Sequence, residues 1–94
     1  MPKLKPSDRE VSRRVVRACI SNNMELYSLD EDIVAVKLGV TKRTVQNKRN
    51  SPETLTLDEL WKMSKALKFT PVQAASIVLG RPITSKEIKE FIML

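Results

Sequence analysis

Helix-start signals recur along this 94-residue chain at intervals that leave room only for short helices. Ser7-Asp8-Arg9-Glu10 reads as a capping box, in which Ser7 accepts from the amide of Glu10 and the Glu10 side chain reaches back. Asp30, Thr41 and Thr56 are further N-cap candidates, and Thr70-Pro71 sets a cap before the proline favoured at the first helical position. Thr84-Ser85-Lys86-Glu87 repeats the capping-box pattern. Nothing between these signals alternates with the period of two that a half-buried strand needs. The chain is therefore expected to be all-α, with five helices and a C-terminal segment, helical or extended.

Apolar periodicity and terminators set the expected bounds. Helix 1 is predicted from about residue 8 to 21, with Val11, Val15, Ala18, Cys19 and Ile20 inward and Asn22-Asn23 as its left-handed cap. Arg9, Arg13 and Arg17 take the other face. Helix 2 is expected over about 31–38, with Ile33, Val34, Val36 and Leu38 apolar, and Gly39 ending it by supplying positive φ. Helix 3 follows Thr41 and runs over about 42–50. Helix 4 starts after Thr56 with Leu57, Leu60, Trp61, Ser64 and Leu67 at helical spacing. Helix 5 covers about Pro71 to Leu79 and stops at Gly80. Residues 1–80 then form one domain, and 81–94 an appended segment.

Composition removes several chemistries. The chain has no His, one Cys and two Gly, so it offers no imidazole base, Cys/His zinc cluster, disulfide framework or glycine-rich phosphate loop. No nucleophile–base pair stands out, and neither an enzyme, a cofactor nor a metal is expected. The longest unbroken apolar stretch, Ile33-Val34-Ala35-Val36, is far short of the roughly 20 residues of a membrane span. Lys3 and Lys5 precede Ser-Asp-Arg-Glu instead of an apolar signal core. A cytoplasmic location is expected.

Charge is distributed in blocks. Residues 1–23 carry six basic and two acidic groups, 24–40 one and four, 41–50 four and none, and 51–94 six and five, giving a total of +6. The acid-free block, with Lys42, Arg43, Lys48 and Arg49, is a footprint for phosphate or a solvated helix face. What surrounds it decides between them. In residues 31–50, EDIVAVKLGVTKRTVQNKRN, inward Val34 and Leu38 flank small Ala35, Gly39 turns the chain, Val40 plugs the corner and a capped helix with inward Val45 follows. These are the residue types that a helix-turn-helix corner requires. At about 100° per residue, with Val45 at the origin, Arg43 falls near 160°, Asn47 near 200°, Asn50 near 140° and Gln46 near 100°. Arg pairs with the guanine edge, and Asn or Gln with the adenine edge, through two hydrogen bonds each.

The stretch LGVTKRTVQNKRNSPETLTLDELWKMSKALKF resembles the DNA-binding domains of the lambda-repressor/Cro-like group, above all its short phage-type regulators. Ala35, Gly39-Val40-Thr41 and Val45 carry the resemblance, which continues through Asn50-Ser51-Pro52-Glu53 and Thr56-Leu57-Asp58-Glu59-Leu60 and covers about residues 8–79. It implies a compact five-helix domain, sequence-specific binding to double-stranded DNA by a transcription regulator such as a repressor, and action as a homodimer. Residues after the helix-3 cap that touch bases in the family fall here on Lys42, Arg43 and Asn47. With Gln46 these form the expected base-reading set. Thr41, Thr44, Lys48, Asn50, Arg13 and Arg17 are expected at the DNA backbone or flank, with Lys48 laying an apolar stem over the core and its charge outward. The chain departs from the family at Glu31, where a phosphate-contacting Gln often stands; carboxylates at Asp30, Glu31 and Asp32 would repel the backbone.

Several residues invite other readings. Trp61 is expected in the core, and Tyr27 over the loop before helix 2. Cys19 is expected to be an inert buried thiol. Asp58 and Glu59 suit a helix start. Ile88, Phe91, Ile92 and Leu94 pack on their own domain or form a dimer interface. A different class also fits: a protein-interaction module, antirepressor-like or antitoxin-like, that keeps the helix-turn-helix shell. The acidic start of helix 2 and the apolar tail motivate it.

Overall fold

The computed structural model describes residues 7–84, 86, 87 and 89. Among the described residues five helices follow one another: α1 (Asp8–Leu26), α2 (Glu31–Leu38), α3 (Lys42–Asn50), α4 (Leu57–Ala66) and α5 (Pro71–Leu79), with one 3-10 turn at Pro52–Thr54 between α3 and α4. No strand occurs among the described residues, so the fold is all-α. Every helix starts as the caps predict. Ser7, Asp30, Thr41, Thr56 and Thr70 each accept a hydrogen bond from the backbone amide three residues on. Reciprocal capping boxes form at Thr56 with Glu59 and at Thr70 with Gln73. At α1 the Glu10 carboxylate turns instead to Arg13, Arg14 and Arg17.

Gly39 makes the corner between α2 and α3. Its φ of +69° lets its amide donate to the Val36 carbonyl and the Val40 amide donate to the Ala35 carbonyl, closing two of the four orphan acceptors at the end of α2. Ala35 and Val34 are buried beside Val45 of α3. Val16, Ile20 and Met24 of α1, Met63 of α4 and Leu67, which caps α4, complete this core, and Leu29, Leu38, Leu55, Phe69 and Ile77 pack around it. Burying a side chain such as Ile20 or Leu67 contributes about 1.5–3 kcal/mol. That is enough to fix α3 with Val45 inward and its opposite face in solvent.

Four expectations are corrected. First, α1 runs five residues beyond Ser21, to Leu26, and Asn23 is not its cap but a buried member of its inner face. The Asn23 amide donates to the carbonyls of Leu67 and Lys68 and to Gln73 Oε1, and its oxygen accepts from Gln73 Nε2, so burial leaves it satisfied. Second, the core face of α1 is Val16, Ile20, Asn23 and Met24, while Ala18 is exposed. Third, Trp61 is 60% exposed. Met63 and Leu67 hold the inner face of α4, and Trp61 lies about 160° from Met63 around the helix, sharing the outer side with Leu57. Fourth, Val36 is 82% exposed and Ile33 and Val40 are also exposed, so only Val34, Ala35 and half-buried Leu38 carry the inner side of this corner.

Cys19 is half-buried, and burial raises its thiol above the ordinary range. Tyr27 is exposed, with Lys68 Nζ 5.0 Å from its ring centre. The start of the C-terminal segment docks on the domain: Ile83 is buried and its amide donates to Ser76 Oγ. The expected cap at Thr84 forms with the Glu87 amide, whereas the Glu87 carboxylate pairs with Arg81. Ile88, Phe91, Ile92 and Leu94 lie outside the described residues.

Candidate nucleic-acid interface

α3 is short, and its cap consumes both threonine hydroxyls in its first turn. Thr41 Oγ1 accepts from the Thr44 amide at 3.2 Å and lies 3.0 Å from Thr44 Oγ1. With Val45 inward, Lys42, Arg43, Gln46, Asn47 and Asn50 are all exposed, as the helical arithmetic places them. They differ in what already holds them. Lys42 Nζ pairs with Asp32 at 3.6 Å, and Gln46 Nε2 donates to Glu31 at 3.4 Å. Arg43 and Asn47 make no side-chain hydrogen bond or ion pair among the described residues and point away from the core with Val45 behind them. A guanidinium and a carboxamide one turn apart on an open helix face can each grip a planar edge with two hydrogen bonds.

The flank residues behave differently. Lys48 turns back along the domain: its Nζ donates to the Thr54 carbonyl at 2.8 Å and pairs with Glu59 at 3.2 Å. It therefore joins the end of α3 to the start of α4, and its charge is already met. Glu59 in turn accepts from the Thr56 amide, which with the Lys48 ammonium holds its carboxyl below the usual range. Arg13 braces α1 against the same C-terminal end of α3, with Nε 3.0 Å from Glu53 and Nη2 donating to the Asn50 carbonyl. Arg17 pairs with Glu10 at 3.1 Å. Asn50 keeps an exposed residue surface even though its carbonyl is engaged.

One residue that the sequence reading left in the basic block without a role proves central. Arg49 is half-buried, donates to Ser21 Oγ at 3.3 Å and pairs with Glu31 at 3.5 Å. It lines a cleft of about 400 Å³ with Arg17, Ser21, Glu31, Gln46 and Asn50. Its place about 40° from Val45 on the wheel was the available signal: too near the core for base reading, yet at the seam with α1. The acidic first turn of α2 is thus directed at α3, with Glu31 and Asp32 meeting Arg49, Gln46 and Lys42. No helix among the described residues is long and apolar enough to cross a membrane. No family model, curated protein or solved structure matches the chain.

Proposed function

We propose that the protein is a noncatalytic, sequence-specific binder of double-stranded DNA, acting as a small transcription regulator of bacterial or phage type, most simply a repressor in the cytoplasm. The observation that carries this reading is the open face of α3, where Arg43 and Asn47 stand exposed on a helix anchored by Val45 and the Gly39 corner. A helix rises about 1.5 Å per residue, so two residues four apart are separated by about 6 Å, close to two base-pair steps. With α3 in the major groove, Arg43 reads a guanine edge and Asn47 an adenine edge nearby, while Lys42 and Gln46 read or flank. Phosphate contacts set position without carrying sequence information. As a homodimer the protein would place two such helices on half-sites roughly 34 Å apart.

The test is equilibrium binding to the duplex upstream of the protein's own gene, against a scrambled duplex of equal length, at two salt concentrations. A preference for the native duplex that survives the higher salt is the expected result. Equal binding that collapses with salt would reduce the face to a nonspecific basic surface. A second reading, docking of a protein partner, draws on the exposed Val36 of α2 and Trp61 of α4. Apolar association of that kind would show little salt dependence and no response to duplex DNA.

A further inference from the structure

Beside the open face of α3, the cleft between α1, α2 and α3 brings two arginines together, each already facing a carboxylate. Arg17 pairs with Glu10 on its own helix, and Arg49 pairs with Glu31 from the first turn of α2. Gln46 and Asn50 line the same cleft and also belong to the exposed side of α3, so the cleft opens onto the surface that would meet DNA. The arginines are not deeply sequestered: their side chains are 37% and 30% exposed. The Glu31–Arg49 contact, at 3.5 Å, is long for a charge-assisted bond. A doubly charged-assisted grip on a phosphate would be shorter and better aligned.

We infer that this cleft is a gated seat for a DNA backbone phosphate, in which Arg49, steadied by Ser21 and seconded by Arg17, takes the phosphate, and Glu31 is the internal counter-charge that occupies Arg49 until DNA arrives. The inference rests on the DNA-binding reading above. It explains an otherwise adverse choice, a carboxylate beside the duplex. Glu31 holds the Arg49 guanidinium in the cleft and keeps its charge from capturing anions at random, at the cost of part of the affinity. Its other contact, the hydrogen bond from Gln46, ties the same gate to a base-facing side chain.

Glu31→Gln tests this with little disturbance, because glutamine retains an oxygen to accept from Gln46. Wild type, Glu31→Gln, Arg49→Gln and the double variant are titrated with the upstream duplex and with a scrambled duplex over a range of salt, and thermal midpoints check that all four fold. Glu31→Gln is expected to bind both duplexes about 3- to 10-fold more tightly and to steepen the log–log salt dependence by about one, because in wild type the carboxylate freed from Arg49 takes up a cation that offsets one released from the DNA. In the Arg49→Gln background the same change should give no gain. The proposal is overturned if Glu31→Gln binds as wild type does. It is also overturned if the gain survives without Arg49, which would make Glu31 a diffuse repulsion. A gain confined to one sequence would do the same, by placing its action in Gln46. If wild type and Glu31→Gln both fail to bind any duplex at low salt, the DNA-binding reading falls along with the gate.

Discussion

Arg43 and Lys48 lie five residues apart in one basic block, yet the fold gives them opposite work. Arg43 projects from the open side of α3, while Lys48 reaches back to the Thr54 carbonyl and Glu59. Arg43→Ala should lose about 1–3 kcal/mol of binding at a single base pair and leave scrambled DNA nearly unaffected. Competition binding against a panel of single-base operator variants reads this directly; a uniform loss over all duplexes would make Arg43 a phosphate contact. The Lys48 partner carries a separate prediction. Glu59 has its carboxyl held low by the Thr56 amide and by Lys48, so its folded value lies below the unfolded value of about 4.3. Its contribution to stability is therefore complete above that unfolded value and disappears as pH falls through the folded one. Thermal midpoints of wild type and Glu59→Gln should differ at pH 6 and converge as pH falls through the lowered folded value. A gap that stays constant with pH would show that the charge of Glu59 contributes nothing.

At the scale of the element, beginnings were legible and some endings were not. Each start is written in one side chain whose oxygen meets one amide, a local event that sequence states directly. Endings depend on which residue takes positive φ. Gly39 and Gly80 announce themselves, but α1 closes through Ser28 at φ +53° and α4 through Lys68 at φ +54°. Ser28 makes the same pair of reverse contacts as Gly39, its own amide donating to Glu25 and that of Leu29 to Met24; at Lys68 the outer member of the pair forms, Phe69 donating to Ser64. Leu29 and Phe69, packed on the core, fix the turn from outside the helix, and nothing at positions 28 or 68 advertises it. A left-handed residue with a Cβ costs about 1–2 kcal/mol relative to one without strain. Ser28→Gly should accordingly raise stability by up to about 1 kcal/mol, measured by denaturant midpoint, after the unfolded-state entropy of glycine is set against it. Lys68→Gly should gain less, because it also removes the ammonium lying over Tyr27. Equal gains at both sites would leave that cation–π contact without energetic weight.

For the molecule as a whole, periodicity told which residues could be inside but not which face the core would choose. α4 has Leu57 and Trp61 on one side and Met63 and Leu67 on another; the second is buried because α4 packs against α2, with the Leu67 carbonyl held by Asn23 at the end of α1. The link is Asn23, a polar residue that read as a helix terminator and instead fastens α1 to the end of α4 and the start of α5. No local pattern encodes such a contact, since its partners lie more than forty positions away in the chain. The exposed side of α3 was legible for the converse reason: it follows from one inward Val45 and helical geometry. These two levels should separate experimentally. Asn23→Leu fits the apolar surroundings but strands the Leu67 carbonyl and Gln73 Nε2, costing about 2–4 kcal/mol. The denaturant midpoint should fall with an unchanged slope. Below the lowered melting temperature, however, the ratio of native to scrambled duplex binding should match wild type, because Asn23 takes no part in the α3 face. If that ratio falls while the protein remains folded, the packing of α1 on α4 and α5 sets the angle at which α3 meets its target, and the reading surface extends through the core.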